Sequence, residues 1–126
     1  MKLNLETGSA THRIRAYDTG SVTINETRYT EPLIVMPEAL VHPWQAPALA
    51  DLAAADLESL VEAGCEIILL GTGRRQHFPA ARLLADMANR GVGLEAMDTA
   101  AACRTYNVLM AEDRQVAAAL MMIEDA

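Results

Sequence analysis

The sequence predicts an α/β domain of mixed α+β character, and two observations carry that expectation. Four large apolar residues in a row, Ile67–Leu70, close on Gly71, and the segments on either side show the i, i+3, i+4 spacing of amphipathic helices. Ahead of them, residues 13–36 run in short alternating stretches broken by turn residues, the pattern of an antiparallel meander. At 126 residues the chain has the usual size of one domain. A single domain is therefore expected over residues 13–126, preceded by an irregular polar arm over residues 1–12.

The elements follow in order. Ile14–Tyr17 and Val22–Ile24 alternate, separated by the turn chemistry of Asp18–Ser21. After a second turn at Asn25–Thr27, Tyr29 leads into the apolar run Leu33–Met36, read as the third strand of the meander, with Pro32 marking an edge or a bulge. Residues 37–50 hold Pro37, Pro43 and Pro47 beside the single tryptophan, Trp44, and read as a loop. Leu57, Leu60 and Val61 begin the helical spacing, Asp56 suits a first turn, and Gly64 stands where a C-cap belongs. Glu66–Gly71 is the buried central strand. A second helix is expected over 79–90, with Pro79 in its first turn, Ala80, Leu83, Leu84 and Met87 as its apolar face, and Gly91 as its stop. Val92–Ala96 is a further strand, parallel to the first by the usual crossover. Asp98 or Thr99 caps a third helix to about Ala111. Val116–Ile123 is ambiguous: alanine propensity favours helix, while an apolar end without a polar face suits a buried strand.

Composition narrows the function classes. The formal charge is −7 and the pI about 4.8. That argues against a nucleic-acid or anionic-membrane surface. The densest basic spot is the pair Arg74–Arg75. The two cysteines, Cys65 and Cys103, form no C-x-x-C pair and have no histidine at zinc-ligand spacing, so reduced thiols and no metal are expected. No signal-peptide pattern and no apolar run of membrane-spanning length stands in the sequence; the expectation is a cytoplasmic protein without a membrane span.

Two segments suggest a site. Gly71–Thr72–Gly73–Arg74–Arg75–Gln76 follows a buried strand and precedes a helix, where an α/β sheet places its ligands, and its arginines suit a phosphate or carboxylate. The third glycine of a dinucleotide fingerprint and the lysine of a P-loop are both absent, so a plain strand-to-helix turn with solvated arginines outranks a nucleotide site. Asp98–Thr99 with Cys103, Arg104 and Asn107 also follows a strand and could meet that loop on one rim of the sheet. Helix capping accounts for Asp98 and Thr99, and a small buried apolar role for Cys103 outweighs a reactive one, since of the three histidines only His77 could serve as its base, and only where the two loops touch. Trp44 reads either as a partner anchor or as a lid over the core. With no complete catalytic constellation, an enzyme is not the favoured reading, and no cofactor is expected.

Taken in order, Gly20–Tyr29, Leu33–Val35, Trp44, Ile67–Gly73, Glu95–Thr99, Ala102–Asn107, Glu112, Arg114 and Val116–Leu120 resemble the Mth-like family, domain of unknown function 498. The match covers roughly residues 12–122. The resemblance implies a three-layer Mth-like fold, a mixed central sheet with helices on one side and a β-hairpin plus helix on the other. It also implies that residues 115–123 form a strand. The family's eukaryotic member, the assembly factor 3 of mitochondrial complex I (NADH:ubiquinone oxidoreductase), implies a chaperone-like binding role and supplies no catalytic residues to carry over.

Three functional readings follow. The first is a non-catalytic binding domain with protein partners in respiratory-complex assembly. The second is a binder of, or enzyme acting on, a small anion in a cleft between segments 71–76 and 98–107. The third is a homo-oligomeric structural protein.

Overall fold

The computed structural model describes residues 4–5 and 11–124. Nine strands are described: β1 (Asn4–Leu5), β2 (Ile14–Asp18), β3 (Ser21–Ile24), β4 (Thr27–Tyr29), β5 (Leu33–Met36), β6 (Ala39–Val41), β7 (Ile67–Thr72), β8 (Gly93–Met97) and β9 (Val116–Met121). Three α-helices accompany them: α1 (Glu58–Glu62), α2 (Ala81–Asn89) and α3 (Thr99–Ala111). Short 3-10 turns at Leu49–Asp51 and Ala54–Leu57 precede α1.

The central sheet has the order β1-β6-β5-β9-β7-β8, and β2-β3-β4 form a separate antiparallel sheet. β7 is parallel to both β8 and β9, whereas β5 is antiparallel to β9 and β6. The central sheet is therefore mixed. Its inner strands are apolar throughout because both of their faces are covered. Alternate residues serve opposite layers, as the strand period of two requires. Ile34, Ile68, Leu70, Ala117 and Ala119 pack under α1 and α2, together with Leu60, Leu83 and Met87. Leu33, Val35, Leu69, Ala118 and Leu120 face α3 and the small sheet, together with Tyr106, Ala102 and Val22.

The final alanine-rich segment is strand β9, in agreement with the family resemblance and against bare propensity. Inserted between β5 and β7 with every residue from Val116 to Leu120 buried, it gains ladder bonds on both sides. Those gains outweigh the few tenths of a kcal/mol per residue that favour alanine in helices.

Four expectations need correction. The third strand of the meander is Thr27–Tyr29, not Leu33–Met36; the chain breaks at Thr30–Pro32 and β5 enters the other sheet. Within the Pro-rich stretch 37–50, Ala39–Val41 is a strand, turned back on β5 through Pro37–Glu38. The second helix starts at Ala81 rather than Pro79, which precedes the N-cap Ala80. On that helix Leu83 and Met87 are buried, but Ala80 and Leu84 are exposed, so the apolar stripe is narrower than its composition suggests. Of the expected arm over residues 1–12, residues 1–3 and 6–10 lie outside the described residues. Asn4–Leu5 pairs with β6, and His12 is buried, its Nδ1 2.9 Å from the Met36 carbonyl and 3.0 Å from that of Ala39.

The helix ends are as their residues require. Asp98 caps α3 by accepting a bond from the Ala101 amide at 2.8 Å. The Asp56 carboxylate accepts from the Ala53 amide at 2.8 Å. An ion pair between Glu58 and Arg90 ties α1 to the end of α2.

Candidate functional site

The carboxyl end of β7 and the start of α3 meet, as the two sequence segments suggested, but the junction is closed rather than hollow. The Gly73 amide donates to Thr99 Oγ1 at 2.8 Å, and the Thr99 amide donates back to the Gly73 carbonyl at 2.8 Å. Thr99 Oγ1 in turn donates to the Met121 carbonyl at 2.6 Å. Gly73 adopts φ +96°, a conformation that suits glycine. A Cβ on Gly71 would stand 2.9 Å from Leu120 Cδ2 and 3.1 Å from Thr99 Cα, so this glycine lets strand and helix touch.

Beyond that junction the chain makes a tightly fastened surface loop. Thr72 Oγ1 lies 2.6 Å from the Arg75 carbonyl, to which it donates, and accepts from the His77 amide at 3.0 Å. Gln76 Nε2 donates to the Ala96 carbonyl on β8 at 2.9 Å. Arg74 Nη1 donates to the Glu124 carbonyl at 3.3 Å. A depression of about 420 Å³ lies here, with Thr72–Arg75 and His77 on one side and Met121, Met122 and Glu124 on the other. Arg74 through Phe78 are all exposed, and Phe78 is 75% exposed.

The remaining candidates do not line this depression. Asp98 is spent on the cap. Cys103 is 1% exposed among Ile14, Val22, Leu69 and Tyr106, and burial pushes its thiol up to about 12, with the nearby Arg104 guanidinium opposing only in part. Cys65 is buried on the opposite face, its thiol pushed up to about 11 for the same reason. A thiol held neutral in this way is a poor nucleophile. Arg104 Nη1 donates to the Tyr17 hydroxyl at 2.8 Å, across to the small sheet. Asn107 uses its amide to hold β2: Oδ1 accepts from the Ile14 amide at 3.0 Å and Nδ2 donates to the Ile14 carbonyl at 2.7 Å. The expected cleft thus divides, residues 72–75 facing the depression and residues 103, 104 and 107 facing β2.

Trp44 is not available as a surface anchor. It is 3% exposed, packed with Ile34, Val41 and Leu52, because the turn after β6 folds it back and its amide donates to the Pro32 carbonyl at 2.7 Å. Among the described residues the more exposed aromatics are Phe78 and, less so, Tyr17; the sequence pattern did not single out Phe78, and a lone phenylalanine between a histidine and a proline, outside any apolar periodicity, was the signal to read. Among the described residues, no group of three His, Cys, Asp or Glu side chains is placed to hold a metal ion, and no helix is long and apolar enough to cross a membrane.

Comparison with known proteins agrees with the fold. Residues 14–121 match the family described as protein of unknown function DUF498/DUF598. A zebrafish (Danio rerio) protein named NADH dehydrogenase (ubiquinone) 1 alpha subcomplex assembly factor 3 is 34% identical over 110 residues, covering 86% of this chain and 63% of that protein. The chain therefore spans somewhat less than two thirds of the length of that relative. A Francisella tularensis protein named 13 kDa major membrane protein is 29% identical, over 81% of this chain and 84% of that one. A crystal structure from Bordetella parapertussis superposes with TM-score 0.83 at 40% identity, over 90% of this chain and 98% of that one. A solution structure from Bordetella pertussis, described as a Mth938-like domain, has TM-score 0.78 at 35% identity, over 100% of this chain and 95% of that one. The three-layer fold implied by the sequence resemblance is the fold observed.

Proposed function

The chain belongs to the DUF498/DUF598 family, and from that premise we propose that it is a non-catalytic binding domain whose protein partners are components of a respiratory complex under assembly. The observation that carries this reading is the likeness to a named complex I assembly factor over 86% of the chain. The burial of Trp44 counts against the anchor this reading first offered, and the polar groups at the sheet rim are engaged in structure. The hydroxyls of Thr72 and Thr99 are occupied in fastening backbone, and Cys103 is buried and neutral. Among the described residues, no side chain at the rim of the sheet is presented as a nucleophile with its base. What the rim does present is a rigid loop with solvated side chains, which is how a scaffold displays recognition residues.

Mild affinity purification from the native host, with mass spectrometry of what co-purifies, tests the proposal. Stoichiometric recovery of complex I subunits supports it. Recovery of the chain alone, with cross-linking included, overturns it.

A small anionic ligand is the second reading, favoured by the depression that Arg74 and Arg75 border. Its site would be the 72–77 loop with Met121–Glu124, since Cys103, Arg104 and Asn107 face the small sheet.

A further inference from the structure

We propose that the Thr72–Phe78 loop is the surface through which this protein engages its partner, and that it takes an acidic segment of that partner with an apolar residue seated on Phe78. This proposal rests on the binding-domain reading and names the contact surface for it.

Three observations carry the argument. The first is charge. The chain has 17 acidic against 10 basic residues, yet from Ile67 to Ala85 it carries Arg74, Arg75 and Arg82 and no Asp or Glu, and the depression that Arg74 and Arg75 border has Glu124 on its far side against the two arginines. Arg82 is 3.9 Å from Asp86 on its own helix, whereas Arg74 donates to the Glu124 backbone carbonyl and Arg75 is exposed. A local positive field on an acidic protein steers an acidic partner to one place on the surface and repels it elsewhere.

The second is preorganisation. Exposed loops usually hold their shape loosely, but this one is pinned to itself by Thr72, to α3 by Gly73, to the edge strand β8 by Gln76 and to the last residues of the chain by Arg74. None of these bonds buries Arg75, His77 or Phe78. A loop fixed in this way holds its side chains at reduced entropic cost on binding.

The third is composition. Phe78 is the chain's one phenylalanine and is 75% exposed, and phenylalanine, methionine and arginine are among the residues enriched at protein interfaces. The depression beside the arginines, floored by Met121 and Met122, offers apolar contact next to the charge.

The test is a titration of the 15N-labelled chain with an acetylated acidic peptide, Glu-Asp-Leu-Glu-Asp, read from amide shifts. Saturable shifts concentrated in residues 72–78, weakened about tenfold or more by Arg74→Glu with Arg75→Glu and suppressed by added salt, are the expected result. No saturable shift, or shifts unchanged in the double variant, overturns the proposal. Inorganic phosphate is titrated in parallel; shifts that saturate with phosphate at lower concentration than with peptide overturn it in favour of a small-anion site. The affinity purification is then repeated with the double variant and with Phe78→Ser, beside Val108→Ser on exposed α3 surface as control. Loss of the partner from the first two alone supports the proposal, and retention overturns it. If the wild-type chain recovers no partner at all, the binding-domain reading fails, and the peptide titration still decides whether the loop reads carboxylates.

Discussion

Thr99 Oγ1 accepts from the Gly73 amide at 2.8 Å and donates to the Met121 carbonyl at 2.6 Å, so one fully buried threonine joins the ends of β7 and β9 to the first turn of α3. Without it the buried Gly73 amide and the part-buried Met121 carbonyl would each lose this partner. Thr99→Val keeps the volume and removes both bonds. The expected cost is about 2–4 kcal/mol, from two orphaned groups at about 1–3 kcal/mol each less relaxation. Thr99→Ser keeps the hydroxyl and loses a fraction of that. Urea unfolding of both variants checks the prediction, and equal midpoints would show that the hydroxyl carries nothing.

Gly71→Ala separates a packing glycine from a ligand-binding one. The added Cβ would meet Leu120 Cδ2 at 2.9 Å and Thr99 Oγ1 at 3.0 Å, so strand and helix must move apart. Destabilisation of about 1–3 kcal/mol is expected, as for overpacked cores. At Gly64, φ is +85° and nothing lies within 4 Å of the added atom, so there Gly→Ala costs backbone strain alone, about 1 kcal/mol. Thermal unfolding of the two variants should therefore rank Gly71→Ala as the more damaging.

Much of this was legible in the sequence, and the misses have physical causes. Ile67–Leu70, Asp98–Thr99 and Gly91 announce their roles because burial, capping and positive φ each restrict residue choice locally. The strand Ala39–Val41 hides between Pro37 and Pro43 because its hairpin with β5 turns on residues that read as loop chemistry, and Trp44, a loop residue, is buried by packing against Ile34 and Leu52 that no local periodicity encodes. The alanines of β9 were ambiguous on propensity and were read as strand through the family resemblance. At the site, the contact between Gly73 and Thr99 was anticipated as a meeting of two loops. That it would be a closed hydrogen-bonded junction, with Asn107 turned to Ile14, depends on where β2 sits, which the residues near position 107 do not state.

Trp44 gives a direct optical check on that point. As the sole tryptophan, 3% exposed in an apolar cluster, it should emit at short wavelength and resist quenching by iodide. Emission like that of free tryptophan in water would contradict the packing. Trp44→Ala is expected to cost about 3–5 kcal/mol, read as a lowered urea midpoint.

Alkaline pH should destabilise the fold in a defined window. Burial raises Cys65 from 9.0 to about 11 and Cys103 from 9.0 to about 12, and raises Tyr106 further. In each case the folded state holds the proton longer than the unfolded chain. The stabilisation is complete below the unfolded value and is lost as pH rises from about 9 toward the folded values, at up to about 1.4 kcal/mol per pH unit for each group in its window. Replacing Cys65 and Cys103 together with alanine should flatten the pH dependence of the unfolding free energy between 9 and 11 without abolishing it, since Tyr106 remains. An unchanged slope would mean that the thiols ionise in the folded chain as readily as in the unfolded one.

Asn107 holds the small sheet to α3 by imitating a strand. Its side-chain amide gives the Ile14 amide an acceptor at 3.0 Å and the Ile14 carbonyl a donor at 2.7 Å, replacing the ladder partner that β2 lacks on that side. Ile14 is buried, so water does not readily substitute. Asn107→Ala should cost about 2–4 kcal/mol, from two unsatisfied groups. Asn107→Asp keeps shape and one acceptor but places a carboxylate oxygen against the Ile14 carbonyl; it should be at least as damaging as alanine at neutral pH and should recover stability as pH falls and the carboxyl gains a proton to donate. Amide exchange of β2 and β3, measured for both variants at two pH values, distinguishes these outcomes. If protection of Ile14 is unaffected in either variant, the side chain is an ornament of the interface and the contact of Tyr106 with the His12 carbonyl, at 2.8 Å, is what holds β2 in place.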